Sequence, residues 1–228
     1  MTQPLNQLNR STLAASSYPD AQAMTDSTVT GTLWGIAIAW FVVALAAGAS
    51  GFTDEYKRFV GPLVIVPLAV FATAFSVSAR LRAWALTFDP KMLVSFQALR
   101  IGGGSFLALY AVGKLSGTFA VWAGSIDVAT GLSALVVAHY LVPARTAVQR
   151  RLLVAWMAFG IIDFLVAVPL ARIARSQDPT GMMALSTLPL CMITTYFVPL
   201  ALIVYFILGA QLWQQRGRTL VQHLEAHS

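Results

Sequence analysis

Apolar residues form long, nearly uninterrupted runs along most of this chain, and polar residues gather in the short segments between the runs. Each run approaches or exceeds the roughly 20 residues that an α-helix needs to cross about 30 Å of hydrocarbon. The predicted spans are 33–50, 59–79, 92–112, 119–142, 152–173 and 182–213. The pattern therefore predicts an all-α integral membrane bundle of six transmembrane helices.

Local signals support the bounds of some of these spans. Asp89 and Pro90 precede the third run, where Asp89 can cap a helix and Pro90 fits its first turn. The fourth run stops at Pro143. The sixth run is longer than one crossing needs and contains Pro189 and Pro199, so it must tilt, kink or protrude.

The polar segments at the two ends give the domain division. Residues 1–30 are rich in Ser, Thr, Gln and Asn, and no basic start is followed by an apolar stretch there. We predict a disordered cytoplasmic tail at 1–30 rather than a secretory signal, a transmembrane domain at 31–213 and a cytoplasmic tail at 214–228. His223 and His227 in this last tail lack a third ligand, so no metal site is predicted.

Composition supports lipid as the solvent of this chain. Hydrophobic residues make up 57% of it and charged residues only 11%, with a mean hydropathy of +0.71. A soluble domain is about 45–50% apolar and about 25% charged. These values exclude a disordered chain and a typical soluble enzyme. Cys191 is the single cysteine, so no disulfide forms within the chain.

The net charge of +6 gives information on the orientation of the chain in the membrane rather than on its binding partners. The basic residues are scattered over short loops, which is typical of topology signals rather than of nucleic-acid binding. The side that carries the termini holds Arg10, Arg80, Arg82, Lys91, Arg145, Arg150, Arg151, Arg216 and Arg218, and the other side holds Lys57, Arg58, Lys114, Arg172 and Arg175. We therefore expect both termini in the cytoplasm, a bacterial inner (plasma) membrane location and membrane lipids as partners.

Three charged residues stand well inside the predicted spans, namely Arg100, Asp127 and Asp163. A charge at the bilayer centre costs about 2.5–3.5 kcal/mol on insertion scales, so such residues usually face the bundle interior and pair with one another. Gln97 and Tyr110 are milder polar companions in the third span. These five residues form the predicted ligand-binding or ion-pair cluster.

The depths of Arg100 and Asp127 can be compared because a tight turn joins their spans. Arg100 lies fifteen residues before Leu115 and Asp127 lies twelve residues after it. At 1.5 Å per residue the two depths differ by about 4.5 Å, which an arginine side chain bridges. We expect a charge-assisted pair, with Gln97 one turn from Arg100 and Asp163 at a similar depth in the fifth span.

Small residues accompany each of these charges. Gly102, Gly103 and Gly104 follow Arg100, and they permit close helix approach, a local break or a ligand. A stripe on the fourth span comprises Gly124, Asp127, Gly131, Ala134 and Ala138, and Gly160 precedes Asp163 on the fifth. The glycine-rich start of the fourth span, 113–124, leaves open a short re-entrant piece or a continuous helix.

Several chemistries find no support in the sequence. His139 is the single histidine within a span, which excludes haem held by two histidines. The motifs HExxH, GxSxG and Walker A are missing, so no catalytic residue, metal or cofactor is identified.

The first hypothesis is a small-solute or proton-coupled transporter, with Arg100 as anchor, Asp127 as its main partner and Asp163 as the titrating group. The alternatives are a non-catalytic accessory or assembly subunit, in which the cluster only fixes helix packing, and an intramembrane lipid-modifying enzyme. The enzyme ranks below the others because the charges lie deep and are few. The expected partners are lipids and a small solute or proton, an oligomer is left open, and nucleic acid is excluded.

Overall fold

A computed structural model describes residues 19–52 and 60–225, and every regular element in these two ranges is helical. The helices are α1 (Pro19–Ala49), α2 (Val60–Val77), α3 (Ala79–Leu86), α4 (Pro90–Phe96), a 3₁₀ segment (Gln97–Gly103), α5 (Gly104–Ala111), α6 (Gly117–Tyr140), α7 (Ala147–Gln177), a short 3₁₀ turn (Met183–Ser186), a π segment (Ile193–Phe197) and α8 (Val198–Glu225). Five helices are long and apolar enough to cross a membrane, and six if a bent pair counts as one span. The all-α membrane bundle is confirmed at this level.

The third span is composite. Asp89 Oδ1 accepts a hydrogen bond from the backbone N–H of Lys91 at 2.9 Å, and Pro90 takes the first turn of α4. The chain then winds as a 3₁₀ helix through Gln97–Gly103 before α5 completes the crossing at Ala111. The local break that the glycines permit is thus a tighter winding, with about 2.0 Å of rise per residue instead of 1.5 Å.

The second span bends sharply where α2 meets α3. The axes of the two helices differ by 106°, and the hydroxyl of Ser78 between them accepts the N–H of Leu81 at 3.2 Å. The 18 residues of α2 extend about 27 Å, close to the thickness of the hydrocarbon. Arg80 and Arg82 are exposed on α3. By length and composition, the bent pair is compatible with a broken span or with a re-entrant loop.

The long run at 182–213 does not form one helix, which corrects the predicted bounds of the sixth span. The 3₁₀ turn Met183–Ser186 and an irregular stretch come first, and the span-forming helix begins at Ile193. Proline is the physical cause, because it lacks the N–H that an α-helix needs and it restricts the residue before it. Pro189 lies in the irregular stretch, and Pro199 lies two residues after the π segment.

The carbonyl of Thr195, one turn before Pro199, accepts a hydrogen bond from another helix. In a regular α-helix the N–H of residue 199 would bond Thr195 O, but proline has none. The indole Nε1 of Trp40 on α1 donates to Thr195 O at 3.0 Å instead. Phe41 also packs edge-to-face on Tyr196 with ring centroids 5.1 Å apart. This contact fixes α1 against the π segment.

The first helix extends beyond its predicted bounds and lies at the periphery of the bundle. It begins at Pro19, although 1–30 was predicted as a tail, because a helix anchored in the bundle continues into its polar flank without losing backbone hydrogen bonds. Residues 1–18 of that predicted tail lie outside the described residues. Most apolar side chains of α1 are exposed, while Ala44 and Gly48 are buried against Cys191 and its neighbours. At the other end of the chain, α8 continues through 214–225 of the predicted C-terminal tail.

Two apolar cores occupy the two ends of the bundle. The large core lies where α6 ends and α7 begins, and includes Val137, Leu153, Met157 and Leu208. The small core lies at the opposite end, and includes Phe106, Phe119, Ala174 and Leu185. The predicted re-entrant alternative for 113–124 is not seen, since α6 is a continuous helix from Gly117 to Tyr140. The central parts of the third, fourth and fifth spans lie between the two cores.

We expect Trp40→Phe to lower the free energy of unfolding by about 1–2 kcal/mol, because Thr195 O loses its indole donor while the aromatic packing is largely kept. Trp34→Phe is the matched control, since Trp34 is 64% exposed on the same helix. The measurement is unfolding in detergent followed by far-UV circular dichroism. Pro199→Ala restores an N–H that can bond Thr195 O. In the Pro199→Ala background, Trp40→Phe should therefore lower the free energy of unfolding by less than it does in the native protein. Equal losses of unfolding free energy in Trp40→Phe and Trp34→Phe would contradict this role of Trp40.

Candidate functional site

Arg100 lies at the middle of the composite third span, on the 3₁₀ segment. A 3₁₀ helix has three residues per turn, so side chains three apart share one face. The buried residues of this segment are Gln97, Arg100 and Gly103, which follow that spacing. The tighter winding therefore directs these three positions into the bundle together, against α6.

The guanidinium of Arg100 binds both buried acids. Its Nε donates to Asp127 Oδ1 at 2.7 Å, and its Nη2 donates to Asp163 Oδ2. All three residues are buried, with 8% of Arg100, 8% of Asp127 and 4% of Asp163 exposed. The structure thus brings together the three charges that the sequence placed at similar depth, each from a different span.

The remaining contacts of this guanidinium come from two further groups. Nη1 donates to Gly160 O at 3.1 Å and approaches the Tyr205 hydroxyl at 3.4 Å. The ring of Phe164 covers one face, with its centroid 4.2 Å from Cζ. Cation–π contact of this kind contributes most when the cation is shielded from water. Arg100 therefore links the third span to α6, α7 and α8.

Glycines make these approaches possible. A Cβ on Gly103 would overlap the side chain of Asp127, and a Cβ on Gly160 would overlap the Tyr205 hydroxyl. Gly131 on α6 packs against the backbone of Ile101, where a Cβ would come within 2.6 Å of the nitrogen. The predicted stripe of small residues on α6 is buried and faces the third span at Gly124, Asp127 and Gly131.

The cluster carries more acid than base. One guanidinium faces two carboxyl groups, so the three side chains sum to a net charge of −1 when all are ionised. Among the residues that the structure describes, Asp163 Oδ1 has no hydrogen-bond partner, although it is buried. Gln97 Nε2 donates to Ala201 O at 3.2 Å, while its Oε1 has no partner within the same described part of the chain.

A cavity of about 330 Å³ reaches the acidic side of this cluster. Asp127 and Asp163 line its inner end, and beyond them lies the large core. Its walls are mainly carbon, from Phe106, Phe119, Phe164, Ala123, Val64, Ile193 and Val198, with the hydroxyl-bearing residues Ser186 and Thr194. The volume falls within the range of small-molecule sites, about 300–1,000 Å³.

One face of α7 runs along the whole cavity. Asp163, Ala167, Ala171 and Arg175 are spaced four residues apart and all line it. From Asp163 to Arg175 this face extends about 18 Å. Arg172 and Val168 also line the cavity and are exposed, so it reaches the protein surface along α7, on the side of the small core. Arg175 donates to Met182 O at 3.2 Å and to Ser186 Oγ at 3.0 Å, which ties the 3₁₀ turn to this rim.

Two polar residues singled out from the sequence lie apart from the cluster. Tyr110 is 48% exposed on α5, and its ring packs against Gly117. His139 is exposed and stacks edge-to-face on Tyr140. No group of three His, Cys, Asp or Glu residues that could hold a metal ion occurs among the described residues.

Three contributors to the cluster were missed from the sequence, namely Phe164, Tyr205 and the carbonyl of Gly160. Tyr205 carried a weak signal, as a hydroxyl within an apolar run near the middle of the last span. Phe164 gave none, because an aromatic ring is ordinary in a membrane helix. The hydroxyls of Thr194 and Thr195 bond back to Cys191 O at 3.0 Å and 2.7 Å, and Thr194 also lines the cavity.

Comparison with known families places the chain in one group. The family model described as Domain of unknown function (DUF8737) matches residues 58–212, about two thirds of the chain, and the chain belongs to this family. The matched region contains Arg100, Asp127, Asp163 and the described lining of the cavity, whereas α1 lies outside it. No curated protein and no solved structure matches the chain.

We expect Gly103→Ala to lower the free energy of unfolding by about 1–3 kcal/mol, because the new methyl group must displace the Asp127 side chain or the helix that carries it. Gly102→Ala, one residue earlier, is the matched control. A Cβ on Gly102 meets nothing within 4 Å, so this change should be neutral or stabilise by up to about 1 kcal/mol. Parallel unfolding curves in detergent provide the comparison, and equal stability of the two variants would contradict close packing at Asp127.

Proposed function

We propose that this member of the DUF8737 family is a small-solute transporter of the bacterial inner membrane, with proton coupling at the buried carboxyl pair. The observation that carries the proposal is a cavity that is lined by exposed residues on the side of the small core and reaches Asp127 and Asp163. The large core closes the opposite end. Solute sites near the bilayer midplane with access from one side at a time are the general arrangement of secondary transporters.

The proposal includes six crossings with both termini in the cytoplasm. In this arrangement α2 crosses alone, α3 lies along the cytoplasmic surface, and the composite span, α6, α7 and the helix from Ile193 complete the set. Arg80 and Arg82 on α3 then meet the headgroups of the cytoplasmic leaflet, as the excess of basic residues on that side favours. The cavity accordingly opens to the outside.

A change of access requires a helix that can rearrange, and the third span offers one. Its centre is a 3₁₀ segment followed by Gly104, and mid-helix 3₁₀ segments often mark hinges. Arg100 sits in this segment and binds acids on α6 and α7. A proton or solute that neutralises one acid weakens one of these two attachments. The occupancy of the site and the position of the third span are coupled through this linkage.

The division of roles follows from the contacts. Asp127 binds Arg100 through Nε and keeps the pair neutral. Asp163 supplies the second carboxyl group, whose Oδ1 is left without a partner in the described part of the chain. An unpaired buried carboxylate oxygen is costly, so a proton or a cationic solute stabilises it. Asp163 is therefore the proposed coupling residue.

A second candidate is an accessory or assembly subunit without its own chemistry. It is favoured by the number of partners around Arg100, which link four helices as a purely structural network would. An intramembrane lipid-modifying enzyme has less support, because the carboxyl groups lie at mid-depth rather than near the headgroups.

The proposed topology is tested by two conservative cysteine substitutions at exposed positions, Ser50→Cys and Thr87→Cys. We expect an impermeant maleimide to label position 50 in intact spheroplasts and position 87 only after lysis. The native Cys191 is buried and provides the background. If α2 and α3 instead form a re-entrant loop, both positions will label from the same side.

The transport proposal is tested with purified protein in liposomes, by uptake of labelled amines, carboxylates and sugars and by a pH-sensitive dye inside. We expect Asp163→Asn to reduce solute-dependent flux at least tenfold, because the coupling carboxyl group is lost. Asp89→Asn is the matched control, since asparagine caps the start of α4 as well as aspartate does. If Asp163→Asn lowers the thermal stability but leaves the flux unchanged, the accessory role is favoured.

A further inference from the structure

We propose that the solute is a small organic cation with a compact aromatic or aliphatic body, whose positive group binds at Asp163 and whose body fills the carbon-lined cavity. This inference rests on the proposed function and narrows it to one chemical class. Four observations support it: the charge balance of the cluster, the unpaired carboxylate oxygen of Asp163, the mainly apolar lining of the cavity and the residues at its opening.

The charge balance favours a cation over an anion. Arg100 is the basic member of the cluster, and it is already bound by Asp127, Asp163, Gly160 O and Tyr205. An anion at the inner end of the cavity would face two carboxyl groups with no uncommitted guanidinium behind them. A cation there brings the sum of charges to zero. Coulomb interactions at the inner end of the cavity therefore favour a cation over an anion.

Asp163 supplies the atom that receives the charge. Its side chain is 3% exposed and lines the inner end of the cavity, and its Oδ1 is without a partner within the described residues. Its Oδ2 is held by Arg100, which fixes the carboxyl group in place. A preoriented carboxylate that keeps one oxygen open is a suitable counterion for an ammonium group.

The walls suit an organic rather than a metal cation. Hard metal ions such as Ca²⁺ take six to eight oxygen ligands. The lining offers the carboxyl groups of Asp127 and Asp163 at the inner end, two hydroxyl-bearing residues, and the guanidinium groups of Arg172 and Arg175 toward the opening, and the rest is mainly carbon. Three phenyl rings line the cavity, at Phe106, Phe119 and Phe164. Aromatic rings next to a carboxylate are a general means of binding alkylammonium groups.

The opening suits an amphipathic solute. Val168 is 42% exposed and Arg172 is exposed, and both line the cavity. Gly61 of α2 faces Arg172 across the rim, with 3.8 Å from an ideal Cβ to Nη2. Arg172 lies about 13.5 Å along α7 from Asp163 and Arg175 about 18 Å, whereas a cation bound at Asp163 is in direct contact with the carboxyl group. Because Coulomb energy falls with distance, these two arginines weaken the attraction at the inner end without reversing it.

Binding to the purified full-length protein in detergent tests the class with three probes of equal size. These probes are benzyltrimethylammonium as the cation, N-benzylacetamide as the neutral compound and 3-phenylpropanoate as the anion, titrated by calorimetry. We expect the cation to bind at least tenfold more tightly than either of the others. Tighter binding of the neutral or anionic probe would overturn the proposal.

Variants locate the binding. We expect Asp163→Asn to weaken cation binding at least tenfold and Asp163→Glu, which keeps the charge, to weaken it less. Ala167→Leu fills the cavity wall without touching a charge and should also weaken binding. Ala158→Leu on the exposed face of the same helix is the matched control and should leave binding unchanged. Cation binding that survives both Asp163→Asn and Ala167→Leu overturns the assignment to this cavity.

The two proposals fail separately. Cation binding that depends on Asp163 without any flux in liposomes retains the ligand class and rejects transport. Flux of sugars or carboxylates without flux or binding of amines retains transport and rejects the ligand class. The binding experiment needs no gradient and no reconstitution, so a failure to reconstitute leaves it intact.

Discussion

The guanidinium of Arg100 at mid-depth is the constraint on which the rest of the bundle depends. Hydrocarbon offers a guanidinium group no hydrogen-bond acceptors, so the protein must surround it with them. Those acceptors come from Asp127 on α6, Asp163 on α7 and Tyr205 on α8, each on a different helix. One side chain thereby fixes the relative depth and rotation of four spans, which apolar packing in lipid does only weakly.

The helices around this charge must approach one another closely. This requirement explains both the glycines and the 3₁₀ winding. Gly103 and Gly160 stand where any Cβ would enter the space of Asp127 or Tyr205. The 3₁₀ segment brings Gln97, Arg100 and Gly103 onto one face, at the expense of weaker backbone hydrogen-bond geometry. The less stable 3₁₀ winding is confined to the segment that positions the buried pair, and the flanking α4 and α5 are regular α-helices.

The sequence predicts the features that depend on depth and misses those that depend on winding. A residue count along two helices joined by a tight turn was enough to pair Arg100 with Asp127, because rise per residue is nearly constant. The position of Tyr110 could not be predicted in this way, since each 3₁₀ residue turns about 120° rather than 100° and shifts the faces that follow. The predicted start of the sixth span was wrong for a related reason, because the irregular stretch that contains Pro189 delays the helix to Ile193 in a manner that hydropathy does not record.

The second carboxyl group is the feature that packing alone does not explain. A neutral Arg100–Asp127 pair would satisfy the requirement for charge compensation, and well-packed apolar residues would often serve stability as well or better. Asp163 adds an excess negative charge, one open oxygen and further desolvation, at the inner end of a cavity. Asn at this position would still offer an oxygen to Arg100 Nη2 without the excess negative charge, so a need for rigidity alone does not require an acid. The presence of an acid there is explained by the cationic solute proposed for the cavity, whose charge would complete the pairing of Asp163.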